Sequence, residues 1–465
     1  MSVLIKGGRV ITAADDYVAD VFIDGERISL IGESLDVSAE KTIDAAGKYV
    51  LPGCVDPHTH LDMPWRAATT IDDFQSGQTS AAFGGTTTHV DFCIQGKGQT
   101  FGDALAAWHE KRNGKAVIDN GFHIAVTDLR EGGTLEELSR LPEDHGVTSY
   151  KLFMAYKDSL MVDDETLFRT MQVAAETGAL VMVHAENGDA IEVLIHELLD
   201  AGKTDPIYHA LSRPPELEGE ATNRAIQLAR IAGAALYVVH VSCAESIEPI
   251  AIAREKGWNI WGETCTQYFF IDQTFLERPD FEGAKYVYTP PPRDKANQQL
   301  LWNAVRTNVL QAISTDHCAY LFDGQKSEGR NDFSQIPNGG PGLENRLQMI
   351  HHFGVRDGRI TLNRMVELLA TNPAKLFGLY PKKGTLAVGS DADIVVFDPE
   401  KQVTISAATH HSKADYNLFE GTRVAGSPEV VLLRGSVIVE NDELLAQPGS
   451  GQFIRRARFG EELKN

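Results

Sequence analysis

Thr148 to Ala185 reads TSYKLFMAYKDSLMVDDETLFRTMQVAAETGALVMVHA. Two short apolar runs, Thr148–Phe153 and Leu180–Ala185, are β-like, and the segment Asp164–Thr177 between them is helix-like. Strand, helix, strand at this spacing is the repeating unit of a parallel sheet. Outward from it, β-type runs recur at Cys54–His60, Thr87–Phe92, Phe122–Val126, Leu236–Ser242, Asn259–Thr264 and Gln311–Asp316. Helix-like segments such as Ala221–Ala232 lie between them. Eight such runs predict an α/β fold, a (β/α)8 TIM barrel, with its active site at the C-terminal ends of the strands.

The two ends of the chain have another rhythm. Val3–Ile5, Val18–Asp24 and Arg27–Ile31 are short and β-rich, and so are Asp393–Phe397, Val430–Leu433 and Ser436–Val439. These predict a small β-sandwich domain built from residues 1–53 and 378–446, with a barrel over 54–377 inserted between them. Residues 447–465 are expected to form a C-terminal arm at a subunit interface.

Composition narrows the partners. Lys and Arg number 43 against 65 Asp and Glu, a net charge of −22. Such a body repels phosphate backbones and anionic lipid, so neither nucleic acid nor membrane is an expected partner. The five cysteines are widely spaced and odd in number, which favours free thiols in a reducing compartment. No secretory signal and no apolar span is evident, so a soluble, cytoplasmic protein is expected.

The informative residues close the apolar runs. Run one ends in His58-Thr59-His60, run four carries Lys151, run five His184, run six His240 and run eight Asp316. Alternation puts both imidazoles of an H-x-H on one face of a strand. Each residue has an ordinary reading of its own: a hydrogen-bonded histidine, or an aspartate capping a helix. Their convergence at one end of one barrel points instead to a divalent metal, for which imidazole and carboxylate are the usual ligands. Lys151 sits in an apolar stretch, where two readings stand. It can snorkel to the barrel mouth. Or it is desolvated with a depressed pKa, and its free amine adds carbon dioxide to become a metal-bridging carbamate.

These motifs resemble the cyclic amidohydrolases, and within them the dihydropyrimidinase and D-hydantoinase group. The resemblance rests on Leu51-Pro-Gly-Cys-Val-Asp-Pro-His-Thr-His60, Tyr150-Lys-Leu-Phe-Met-Ala-Tyr156, Val181-Met-Val-His-Ala-Glu-Asn-Gly188, Ile336-Pro-Asn-Gly-Gly-Pro341 and Gly384-Thr-Leu-Ala-Val-Gly-Ser-Asp-Ala-Asp393. It implies two divalent ions per subunit, zinc first and manganese or cobalt as alternatives. His58, His60 and Asp316 would hold one, His184 and His240 the other, bridged by an N6-carboxylated Lys151. It further implies ring opening of a small cyclic ureide, a hydantoin or dihydropyrimidine, by a metal-bridging hydroxide with Asp316 as general base and acid. Tyr156 would be the hydrogen-bond donor, and Thr289 and Asn338 would hold the ring. Met63, Trp65, Phe153 and Leu160 are expected to form an apolar collar selecting the ring substituent, or alternatively to be lid packing. A homotetramer is implied as well.

Allantoinase shares this ligand set. Dihydroorotase is disfavoured, because its relatives place Arg two residues after H-x-H, where this chain has Asp62. A non-catalytic scaffold of the same fold would have lost ligands, and all six are present here. Glu216, Glu218 and Glu220 read as a solvated stretch, and Cys318 as a packed thiol.

Overall fold

The computed structural model describes residues 2–65 and 68–460. Eight parallel strands form the barrel: Cys54–Thr59, Thr86–Ile94, Asp119–Ala125, Ser149–Phe153, Leu180–His184, Leu236–Val238, Ile260–Cys265 and Ala312–Ser314. Each coincides with one of the eight predicted runs, and they neighbour one another in sequence order. The register brings Ala125 beside Lys151, Lys151 beside Met182 and Phe153 beside His184. The ring closes where Thr59 bridges to His317 and the His60 N–H donates to the His317 carbonyl at 2.8 Å.

The helix Asp164–Thr177 has the predicted bounds. Asp163 caps its first turn by accepting from the Thr166 N–H, and Gly178 ends it at φ 72°, a left-handed geometry that suits glycine. The helix expected at Ala221–Ala232 runs Pro215–Ala232 and starts six residues early. Its prolines explain the early start: Pro215 lacks an N–H that the first turn would leave unbonded anyway. Glu218 therefore turns inward. It is buried and ion-paired with Arg293 at 2.7 Å, which corrects the reading for Glu218, whereas Glu216 and Glu220 are exposed as expected.

Nine strands from the two chain ends form one hydrogen-bonded sheet. The ends meet where Tyr49–Pro52 pairs antiparallel with Ile394–Thr404, Val50 opposite Val396. Val21, Ile23, Val50, Ile394, Val396 and Leu432 share a core separate from that of the barrel. Residues 447–460 run under the barrel's N-terminal face: the Ile454 N–H bonds the Asn120 carbonyl at 2.8 Å and Arg456 reaches Ser149 Oγ at 2.8 Å. The expected arm continues into 461–465, which lie outside the described residues.

The Gly-Ser-Asp-Ala-Asp segment sits at this end, away from the strand termini that carry the histidines. Lys383 Nζ meets Asp119 at 2.7 Å, Asp393 at 2.8 Å and Asp391 at 3.1 Å, all buried. Three acids around one lysine, with Arg434 on Asp119 at 3.1 Å, tie the terminal sheet to the barrel floor. Removing one partner would leave uncompensated buried charge. The motif is thus structural.

Candidate active site

The alternation of side chains along each strand decides which residues reach the barrel mouth. His58 and His60 leave the first strand on one face, Lys151 stands in the fourth and His184 ends the fifth. His240 and Asp316 follow the sixth and eighth strands directly. Tyr156, His240 and Asp316 have φ of 67°, 41° and 49°. Non-glycine residues in this region are uncommon and strained, and such strain gathers at functional sites.

All thirteen residues singled out from sequence line one cavity. Cys318, Tyr320 and Gly339 line it too. Asp316 Oδ1 lies 3.1 Å from His58 Nε2 and 3.2 Å from His60 Nε2. The rings of His58 and His240 are 5.4 Å apart, and those of His184 and His240 are 4.6 Å apart. Lys151 Nζ sits 4.9 Å from the Phe92 ring and 5.1 Å from that of Phe153.

A further layer sets the histidine tautomers. His58 Nδ1 donates to Glu263 at 2.5 Å, and Glu263 also accepts from the Tyr237 hydroxyl at 2.9 Å. This leaves His58 Nε2 for the cavity. His184 Nε2 donates to Glu186 at 2.7 Å, leaving its Nδ1 as the other ring nitrogen. Carboxylates behind histidines in this way orient metal ligands and raise their basicity. Glu263 and Glu186 were not among the residues expected from sequence. Cys318 is a packed thiol, as expected: burial pushes its pKa well up, away from nucleophilic use.

Electrostatics distinguishes the members. Burial alone would depress His58, but Asp316 and Glu263 raise it to about 9. Burial lowers His60 to about 4. Burial opposes ionisation of Asp316, yet His58 and His60 hold its carboxyl well below the usual range, so it is a carboxylate. Burial depresses Lys151 to about 7, with Asp316 and Glu263 opposing. The snorkelling alternative fails: the lysine is 1% exposed. Burial also raises the Tyr156 phenol, while Thr289 and Asn338 draw it back, so it is a neutral O–H donor.

The donor set fits divalent cations. His58, His60 and Asp316 each offer an atom within 4.8 Å of the others. The Nδ1 atoms of His60 and His240 are buried and find no partner among the described residues. Because His60 Nε2 is the nitrogen that faces Asp316, its Nδ1 lies on the far side of the ring, and the fit to a cation rests on the donor set itself.

Comparison with known proteins agrees with this geometry. The amidohydrolase family profile matches residues 49–438. The chain belongs to the amidohydrolase family. It is 55% identical to a D-hydantoinase of Geobacillus stearothermophilus over 460 residues, 99% of this chain and 98% of that one. A D-hydantoinase of Rhizobium radiobacter is 50% identical, over 99% of this chain and all of the other. The crystal structure of a dihydropyrimidinase from Brevibacillus agri NCHU1002 superposes with a TM-score of 0.97 at 55% identity, covering 99% of both chains. Within this amidohydrolase, Met63, Phe153, Leu160 and Trp65 stand around the mouth, with the Trp65 ring edge-on to Tyr156 at 4.9 Å.

Proposed function

We propose that this amidohydrolase opens cyclic ureides, 5-substituted hydantoins and dihydropyrimidines, to N-carbamoyl amino acids. The observation that carries the reading is the convergence of six ligand-type side chains with Tyr156, Thr289 and Asn338 in one cavity. The relatives matched over the full chain bear hydantoinase and dihydropyrimidinase names, which favours this over allantoinase.

His58, His60 and Asp316 would hold one divalent ion, and His184 and His240 a second, with carboxylated Lys151 shared between them. Zinc suits this imidazole and carboxylate set best. Bound there, the ions supply Lewis acidity that activates water near neutral pH and polarises the ring carbonyl.

The chain's own groups do the rest. Thr289 and Asn338 hold the ring, the substituent facing the apolar collar. Tyr156 O–H donates to the oxygen that gains charge as water adds to the amide carbon. Asp316, an ionised carboxylate, takes the proton of that water and passes it to the ring nitrogen as the carbon–nitrogen bond breaks. The product carries a new carboxylate and a carbamoyl group. We assign the unit boundaries to 53/54, 377/378 and 446/447. A cytoplasmic homotetramer with the C-terminal arm at an interface is proposed from the composition and the resemblance.

Kinetics on dihydrouracil, 5-substituted hydantoins, allantoin and dihydroorotate, with metal analysis, test the reading. Hydantoin or dihydrouracil turnover with about two metals per chain is expected. Exclusive turnover of allantoin or dihydroorotate, or no metal, overturns it.

A further inference from the structure

Outside the catalytic cavity the mouth opens into a vestibule, and Trp65, Tyr156, Thr289 and Asn338 line both. The vestibule wall includes Arg213, which is 92% buried by its 8% exposure. Its hydrogen bonds leave from Nη1 alone: to His209 Nδ1 at 3.2 Å, to Ser212 Oγ at 3.1 Å and to the His209 carbonyl at 3.5 Å. Burial keeps His209 neutral, and its Nε2 donates to the Tyr288 carbonyl at 3.1 Å. Arg213 Nε is buried with no partner. Nη2 makes no hydrogen bond among the described residues and is the one guanidinium nitrogen left for a ligand.

The other charged groups of the vestibule are engaged. Lys157 pairs with Asp189 at 2.7 Å and His196 with Glu192 at 3.1 Å. Asp332 accepts the N–H and O–H of Ser334 at 2.9 and 2.7 Å. Glu186 acts on Arg213 electrostatically but is held by His184. Among the described residues, no carboxylate lies within 4.0 Å of Arg213. A buried guanidinium with no anion in contact is costly to keep, and its free N–H donor suits a carboxylate.

We propose that Arg213 makes the vestibule a carboxylate subsite, which takes an acid at the outer end of a ring substituent that passes the apolar collar, or the product carboxylate once it leaves the catalytic cavity. The inference rests on the proposed ring-opening reaction for its ligand, but its geometry does not depend on turnover.

The test is calorimetric, on the metal-replete enzyme. N-carbamoyl-D-glutamate carries two carboxylates, and N-carbamoyl-D-glutamine only the one that ring opening makes. In Arg213→Gln, the Kd of the glutamate compound should rise about tenfold or more, from loss of a charge-assisted hydrogen bond. A rise for it alone places the substituent acid at Arg213. An equal rise for both, largely restored in Arg213→Lys, places the product carboxylate there. Changes under twofold for both ligands, or an equal rise that Arg213→Lys does not restore, overturn the subsite. The binding readout stands whether or not the hydantoins turn over, so its failure is separable from failure of the functional reading.

Discussion

Replacing Lys151 by alanine separates a structural lysine from a bridging one. The side chain is fully enclosed, with Nζ between the rings of Phe92 and Phe153. Burial brings its pKa from 10.5 to about 7, a penalty on the ammonium of roughly 5 kcal/mol. Lys151→Ala relieves that penalty but removes three methylenes from an apolar site, roughly 2–3 kcal/mol at ~0.8 kcal/mol each, with a cavity term added. The two effects oppose, so between metal-free proteins Tm should shift by only a few degrees. Function should not survive: without the carbamate, Asp316 is the one anion left among the six ligand positions. Turnover is expected to fall at least ~1000-fold, about 4 kcal/mol in the barrier, with loss of metal. Acetate or propionate fits the vacated space and should restore part of both. A hydantoin ring-opening assay with elemental analysis reads the result. A variant that keeps its metals and a tenth of wild-type turnover would refute the bridging role. In the wild type, only the free amine adds carbon dioxide. Reconstitution from metal-free protein with bicarbonate should therefore quicken as pH rises through about 7.

Three further outcomes follow from the same geometry. Asp316→Asn keeps the shape but loses the base, and kcat should drop about 100- to 10,000-fold; near-wild-type rates with metal bound would exclude its proton-transfer role. Trp65→Ala widens the mouth beside Tyr156, and the kcat/KM ratio between bulky and small 5-substituted hydantoins should move by about tenfold. An unchanged ratio argues for lid packing instead. Lys326 is fully buried, and its Nζ donates to the carbonyls of Val287 at 2.8 Å and Pro337 at 2.9 Å, just ahead of Thr289 and Asn338. Lys326→Met should raise KM about tenfold with a smaller change in kcat, since ring placement suffers before chemistry; equal small effects on both would make the lysine merely structural.

What was legible in the sequence was whatever the barrel's periodicity exposes. His58, His60, Lys151, His184, His240 and Asp316 each close or punctuate an apolar run, and a parallel barrel sends every such end to one mouth. The sequence reader needs only the strand ends, not the long-range contacts. The partners behind them obey no local rule. Glu263 lies in Ile260–Cys265 and meets His58 across 205 residues of chain, so nothing near either announces the pair. Glu186 was closer to view, two residues beyond His184, but a glutamate there reads equally as the start of a loop. For Glu218 a local signal does exist. Pro215 marks a first helical turn, and from there 218, 222, 225, 226 and 229 fall on one buried face. The neighbouring glutamates at 216 and 220 are exposed on the opposite side of that helix, so charge by itself does not distinguish the three. Arg213 and Lys326 make the same point from the other side. A buried cation looks like a surface residue in sequence, and only the surroundings show whether carbonyls satisfy it, as at Lys326, or whether a donor is left for a ligand, as at Arg213. Strand ends therefore locate the chemistry, whereas the selectivity of the mouth is set by pairings that the fold alone creates.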